Sequence, residues 1–251
     1  MRAIVRSIPA SFVDALATSP QPIDVALARR QHAAYVAALE AAGATVRWIA
    51  AREDCPDSCF VEDIAVIAGG LALVTRPGAP SRRAEVEAVA AVLADCVDVA
   101  TMAEPATLDG GDCLRLGTTI YVGRSARTNA AGIARLAEVF APRGYRVVAV
   151  DLPPGILHLK CVATRLDDER VLLARDSLPA STFAAGVVWV PADETYAANA
   201  VALGSHAIIA ADFPHTHEAL LAAGFTVHPV PTSEVRKADG SLTCQSILLD
   251  V

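Results

Sequence analysis

The stretch DIAVIAGGLALVTR, Asp63 to Arg76, reads as two short apolar strands folded back on each other through a pair of glycines, with a carboxylate at its mouth. The same design recurs as DCLRLGTTIYVGR from Asp112 and KCVATRLDDERVLLAR from Lys160, then more weakly as NAVALGSHAIIAAD from Asn199 and CQSILLDV from Cys244. The hairpin starts are spaced by 49, 48, 39 and 45 residues, as expected of one supersecondary unit repeated along the chain. The last copy ends after one strand, and AIVRSI near the N-terminus is available as its missing partner.

Outward from each hairpin the period changes. SRRAEVEAVAAVLADC, NAAGIARLAEVFAPRG and HEALLAAG have helical spacing and lead into the single strands VDVAT, YRVVAV and FTVHPV. PIDVALARRQHAAYVAALEAAG before TVRWIA supplies another such pair, and TFAAG before VVWV predicts a short helix of the same kind. The chain is therefore expected to be α/β, built from five ββαβ-like units. If the first strand completes the last hairpin, the ends meet and the units close into a propeller-like ring with protected edges, a single domain over residues 1–251. The strands are wholly apolar instead of alternating, which suits sheets covered by helices.

Composition narrows the function. A formal charge of −7 without a lysine or arginine cluster argues against nucleic acid as a partner. No apolar run reaches the roughly 20 residues of a membrane-spanning helix, and MRAIVRSI reads as a strand, not as a signal peptide, so no membrane partner and a cytoplasmic location are expected. Six scattered cysteines do not form a disulfide scaffold and are expected to be thiols.

In a ring of like units the residues that open each hairpin point toward a common axis, and here they are polar: Glu62 with Asp63, Asp109 with Asp112, His158 with Lys160, then Asn199 and Cys244. Buried carboxylates need cationic company, so a small cation is the expected guest. Each residue also has a plainer role. Cys244 reads equally as a packed thiol, His158 as a core histidine between leucines, and Asp109 and Asp112 as turn caps around two glycines. Cys55 and Cys59 lack a second ligand pair for a tetrahedral metal, and His215 and His217 fall at a helix start on the surface. Arg82, Arg83 and Arg127 follow second strands, where arginine opposes the helix dipole and carboxylate binding is the better use.

CFVEDIAVI, LVTRPGAPSRR, LDGGD, LHLK and DGSLTC, in that order, resemble the dimethylarginine dimethylaminohydrolases of the amidinotransferase or pentein superfamily, from Val5 almost to Val251. The resemblance implies a five-bladed αβ-propeller and hydrolysis of Nω,Nω-dimethyl-L-arginine or Nω-methyl-L-arginine to citrulline and an amine. It implies Cys244 as nucleophile, His158 as general acid and base, and Asp109 as the partner that orients His158. Asp57, Glu62 and Asp63 are implied as holders of the guanidinium, and Arg82 and Arg127 as binders of the α-carboxylate. Backbone groups near Leu16 and Ala238, with Asp239 beside them, are implied for the α-amino group.

A guanidinium carbon is a poor electrophile, and a soft thiolate suits it, passing through an S-alkylthiouronium adduct without metal or organic cofactor. Inhibitory zinc at His158 and Cys244 and a homodimer are compatible with the resemblance. Cys161 departs from the pattern, standing where Ser or Thr is expected. Two other readings stand beside this one. The first is hydrolysis of another Nω-substituted arginine such as Nω-hydroxy-L-arginine, or an arginine deiminase-like activity. The second is a non-catalytic pentein, which would have no need for Cys244, His158 and Asp109 together.

Overall fold

A computed structural model describes residues 1–249, so Asp250 and Val251 of the last repeat lie outside the described residues. In chain order the elements are β1 (Arg2–Arg6), α1 (Val25–Ala41), β2 (Thr45–Ile49), β3 (Ala65–Ala68), β4 (Leu71–Val74), α2 (Val86–Ala94), β5 (Asp98–Thr101), β6 (Cys113–Leu116), β7 (Thr119–Arg124), α3 (Ala130–Phe140), β8 (Arg146–Asp151), β9 (Ala163–Arg165), β10 (Arg170–Ala174), β11 (Gly186–Val190), β12 (Val201–Leu203), β13 (His206–Ala210), α4 (Pro214–Ala222), β14 (Thr226–Val230), α5 (Ser233–Lys237) and β15 (Ser246–Leu249). The strands form five three-stranded sheets. In each, an antiparallel pair is followed by a third strand parallel to the second, as the ββαβ reading requires. The opening hairpin turns through Gly69 (φ +55°) and Gly70 (φ +71°), the doubly left-handed turn that only glycine adopts without strain.

Closure follows the expected route. β15 pairs antiparallel with β1, Val5 opposite Ser246 and Arg2 opposite Leu249, and β1 runs parallel to β2. The alternation of β1 then serves two seams at once. Ile4 packs with Ile49, Ile64, Val74, Ile247 and Leu249 against the β3–β4–β5 blade, whereas Ala3 and Val5 pack with Val201, Leu203, Ile208 and Val230 of the β12–β13–β14 blade. One five-residue strand thus joins the first and last blades.

Helices cover four crossovers, and the fifth differs from expectation. Between β10 and β11 the segment at TFAAG forms no α-helix; a 3-10 turn at Ala180–Thr182 leads straight into the strand. Pro179 precedes that turn, and the buried Phe183 fills the space instead, edge-on to Tyr121 at 5.0 Å. The outer face of β11 is covered by α4, which also packs on its own β14.

A short 3-10 turn precedes the first strand of every hairpin: Val61–Ile64, Gly110–Asp112, Leu159–Cys161, Ala192–Ala198 and Thr243–Gln245. These turns gather at one end of the axis, and the glycines of LDGGD let them meet. A methyl group on Gly110 would stand 2.1 Å from the Glu62 carbonyl oxygen, so close approach of two turns dictates glycine there.

Ile4→Ala removes side-chain volume from the seam that closes the ring. Urea unfolding should show a loss of about 2–5 kcal/mol, the range for large-to-small core changes; a loss below about 1 kcal/mol would mean that the seam does not depend on β1.

Candidate active site

At the turn end of the axis lies a cavity of about 230 Å³ lined by Leu16, Asp57, Phe60, Asp63, Arg82, Arg127, Leu157, His158, Ala238, Asp239 and Cys244, among others. Residues scattered from position 16 to position 244 meet there because each belongs to the turn of a hairpin or to a segment flanking one. Cys244 is half-buried at the centre of the Thr243–Gln245 turn.

Asp63 is 3 % exposed and sits between two cations. Its Oδ2 accepts from Arg82 Nη1 at 2.5 Å, and its Oδ1 accepts from the Gly111 amide at 3.0 Å. Burial works to raise this carboxyl, but the charges of His158 and Arg82 outweigh it and hold Asp63 below the usual carboxylate range. His158 Nε2 lies 3.2 Å from Oδ2 of the fully buried Asp109, whose Oδ1 accepts from the Gly78 amide at 2.8 Å. Burial favours the neutral imidazole, yet Asp63, the bond to Asp109 and the charge of Asp112 prevail and push His158 up to about 9. It is therefore an imidazolium at neutral pH.

Cys244 is driven the other way. Burial first, then the negative charges of Glu62 and Asp63, raise its thiol well above the ordinary value, with a backbone hydrogen bond from Ser241 opposing them. In the free protein the sulfur is a thiol. Asp57 faces the same cavity, its carboxylate accepting only the Leu16 amide, at 3.1 Å, among the hydrogen bonds described. Burial raises Asp57, and Arg82 opposes that.

Three expectations change in detail. Glu62 does not line this cavity; it faces a separate channel along the axis, bonded to Lys160 Nζ at 2.7 Å and to Thr243 Oγ1 at 2.6 Å. Lys160 supplies its cation, and burial of that ammonium is outweighed by Glu62 so that it stays charged. Arg82 lines the cavity but spends its fork on Asp63, on the Phe60 carbonyl at 2.7 Å and on Glu85 at 2.9 and 3.2 Å, leaving one Nη1 hydrogen. Asp112 does not face the cavity: Ser125 and Thr128 hydroxyls and the Leu159 amide bind its oxygens, tying neighbouring blades together.

Asp109 stands behind His158, and Leu16, Asp57, Asp63, Arg127, His158, Ala238, Asp239 and Cys244 are brought together. Arg127 Nη1 is 3.8 Å from Asp109 and keeps most of its fork for other partners. The segment around Leu16 forms part of the cavity wall, its backbone held by three carboxylates: Glu53 on the Ala10 amide, Asp57 on Leu16 and Asp239 on Thr18. Residue-type reasoning missed Glu85, whose spacing of three from Arg82 in SRRAE was its signal, and Phe60, which sits inside the motif DSCFVED. Asp63, Asp109 and His158 offer ligand atoms within 4.8 Å of one another, the one such group among the described residues. Arg82 and the His158 proton already neutralise these carboxylates, so a metal would have to displace them.

The family model for N,N dimethylarginine dimethylhydrolase of eukaryotic type matches residues 12–190. The chain belongs to the dimethylarginine dimethylaminohydrolase family. It is 41% identical to an N(G),N(G)-dimethylarginine dimethylaminohydrolase of Streptomyces coelicolor, covering 99% of this chain and 96% of the relative, and 34% identical to its namesake in Pseudomonas aeruginosa, covering 97% of each. A solved structure of the Pseudomonas aeruginosa family member, a cysteine-to-serine mutant complexed with citrulline, superposes with a TM-score of 0.93 over 98% of both chains. The N-terminal domain of a cyanobacterial arginine dihydrolase, at 18% identity and a TM-score of 0.88, shares the fold. This family fold is the pentein propeller expected from the repeat.

The raised imidazole can be checked directly. NMR titration should find His158 protonated through neutrality and losing its proton near pH 9. Because the folded value exceeds the unfolded one, near 6.5, the stabilisation is complete below pH 6.5 and is lost as pH rises through 9, and on the order of 3 kcal/mol is at stake. A midpoint near 6.5 would remove the electrostatic description of the site.

Proposed function

We propose that this protein hydrolyses Nω,Nω-dimethyl-L-arginine and Nω-methyl-L-arginine to L-citrulline and dimethylamine or methylamine. The observation that carries the reading is the meeting of Cys244, His158, Asp63, Asp57 and Arg127 around one cavity in a chain of this family. The cavity lining carries carboxylates suited to a guanidinium and arginines suited to a carboxylate.

Asp57 and Asp63 hold the planar cation. Glu62 acts on Cys244 through its charge from behind; burial raises its carboxyl, and the Lys160 ammonium opposes that rise. Arg127 takes the α-carboxylate, with the remaining Nη1 hydrogen of Arg82 beside it. Backbone groups at Leu16 and Ala238 meet the α-amino group, and Asp239 latches the covering segment by accepting from Thr18.

The chemistry follows from the charges. Entry of the guanidinium brings a positive charge toward the sulfur and offsets the carboxylates that keep Cys244 protonated; the thiol proton leaves to solvent. The thiolate forms a bond to the guanidinium carbon, and His158 delivers its proton to the substituted nitrogen as the C–N bond breaks and the amine departs. The neutral imidazole then takes a proton from water, whose oxygen attacks the S-alkylthiouronium carbon. Collapse breaks the C–S bond as the hydroxyl proton of the adduct passes to the departing sulfur, which yields citrulline and restores the Cys244 thiol, and Asp109 keeps the ring aligned throughout. A nucleophilic thiol of this kind suits a reducing compartment such as the cytoplasm, and residues 1–251 are read as one catalytic unit.

Cys244→Ser should lower citrulline formation by at least about a thousandfold while leaving citrulline binding intact. Assayed side by side, dimethylarginine and monomethylarginine should exceed arginine and Nω-hydroxyarginine in kcat/KM. Turnover retained in the serine variant would reject the nucleophile, and preference for arginine would move the reading to a deiminase.

A further inference from the structure

The turn that carries Cys244 is held by a polar clamp that no part of the chemistry above uses. Gln245 is 2 % exposed. Its Nε2 donates to the Ser241 carbonyl at 3.2 Å, bridging the turn from its last residue to the residue before Leu242. Its Oε1 accepts from Nδ1 of His32 on α1 at 2.8 Å. A carbonyl can only accept, which fixes the Gln245 amide with its NH2 toward Ser241 and its oxygen toward the imidazole, so Nδ1 of His32 carries the proton. His32 is itself 3 % exposed and packs edge-on to Trp48 at 5.5 Å between ring centroids. Its Nε2 is buried without a hydrogen-bond partner among the described residues. Burial lowers its pKa, and the bond to Gln245 and the Arg6 backbone oppose that.

Ser241 links this clamp to the sulfur. The backbone hydrogen bond that favours the Cys244 thiolate comes from Ser241, and a bond that stabilises a thiolate is donated by an N–H. The Gln245 amide therefore anchors the same residue whose amide supports the nucleophile. Tyr35, one turn further along α1, adds a second tie at 2.7 Å to Ser246 Oγ, so α1 grips the chain on the far side of Cys244.

We propose that His32 and Gln245 are positioning residues for the Cys244 nucleophile: the imidazole locks the Gln245 amide, and the amide holds the Ser241–Cys244 turn in the form that supports a thiolate facing the substrate. This rests on Cys244 being the nucleophile, as proposed above. Neither residue touches the substrate cavity, so substrate binding should be spared and the reaction of the sulfur impaired.

His32→Phe keeps ring volume and removes the donor, whereas His32→Asn can place an N–H where Nδ1 stands. His32→Phe should reduce kcat by about tenfold or more with KM within about twofold, and should slow alkylation of Cys244 by iodoacetamide, followed on its own peptide by mass spectrometry, by a similar factor. His32→Asn should restore both to within about threefold of the unsubstituted protein. If His32→Phe does not fold, Gln245→Met, of similar volume, carries the same expectation. Equal behaviour of the Phe and Asn variants, or a loss falling on KM, overturns the clamp. Cys244→Ser assayed alongside separates the two ideas: turnover in that variant removes the nucleophile itself, whereas an inactive serine variant beside a full-rate His32→Phe removes only the clamp.

Discussion

The ion pair between Asp63 and Arg82 is the constraint on which the site depends. Both groups are almost wholly excluded from water, and neither could be charged alone. Glu85 and the Phe60 carbonyl complete the arginine, His158 adds a second cation beside Asp63, and Asp109 and Asp112 justify a protonated imidazole. Each buried charge is there because another is, and together they place an acid in the same cavity as a sulfur that is still protonated. On the proposed reading the sulfur stays unreactive until a further cation enters the cavity that Asp57 and Asp63 line.

The ring produces this arrangement by geometry alone. Equivalent turns before the first strands are brought to one end of the axis, so residues far apart in sequence become neighbours. Glycine at 110 and 111 permits the approach: a methyl on Gly111 would stand 2.8 Å from His158 Nδ1 and 2.9 Å from Asp63 Oδ1. β1 locks the circle by burying Ile4 on one side and Ala3 and Val5 on the other, which is why a five-residue strand near the N-terminus matters to the position of Cys244.

Much of this was readable from residues. The repeated hairpins and the borrowed first strand follow from apolar runs punctuated by glycine, and these signals are local. The missing helix between β10 and β11 was not legible, because a blade can be covered by a neighbour's helix, here α4, and only tertiary packing decides that. The polar residues at the hairpin mouths were found as a set, but their partners were not. Spacing placed Glu62 and Lys160 near the axis without saying that they neutralise each other, and it gave no hint that Asp112 serves hydroxyls of its own blade. Side-chain direction within a 3-10 turn changes with a single residue of offset, so a correct repeat still leaves open which face each carboxylate addresses.

The account turns on a sulfur that becomes a thiolate only in the company of a guanidinium. The most direct measurement is the ultraviolet thiolate absorbance of the protein, taken as the difference from Cys244→Ser, titrated with pH in the absence and presence of guanidinium ion. The account expects no Cys244 thiolate at neutral pH in the free protein and its appearance at lower pH when the cation occupies the cavity. A thiolate already present at neutrality without the cation, or a midpoint that the cation leaves unmoved, would contradict it.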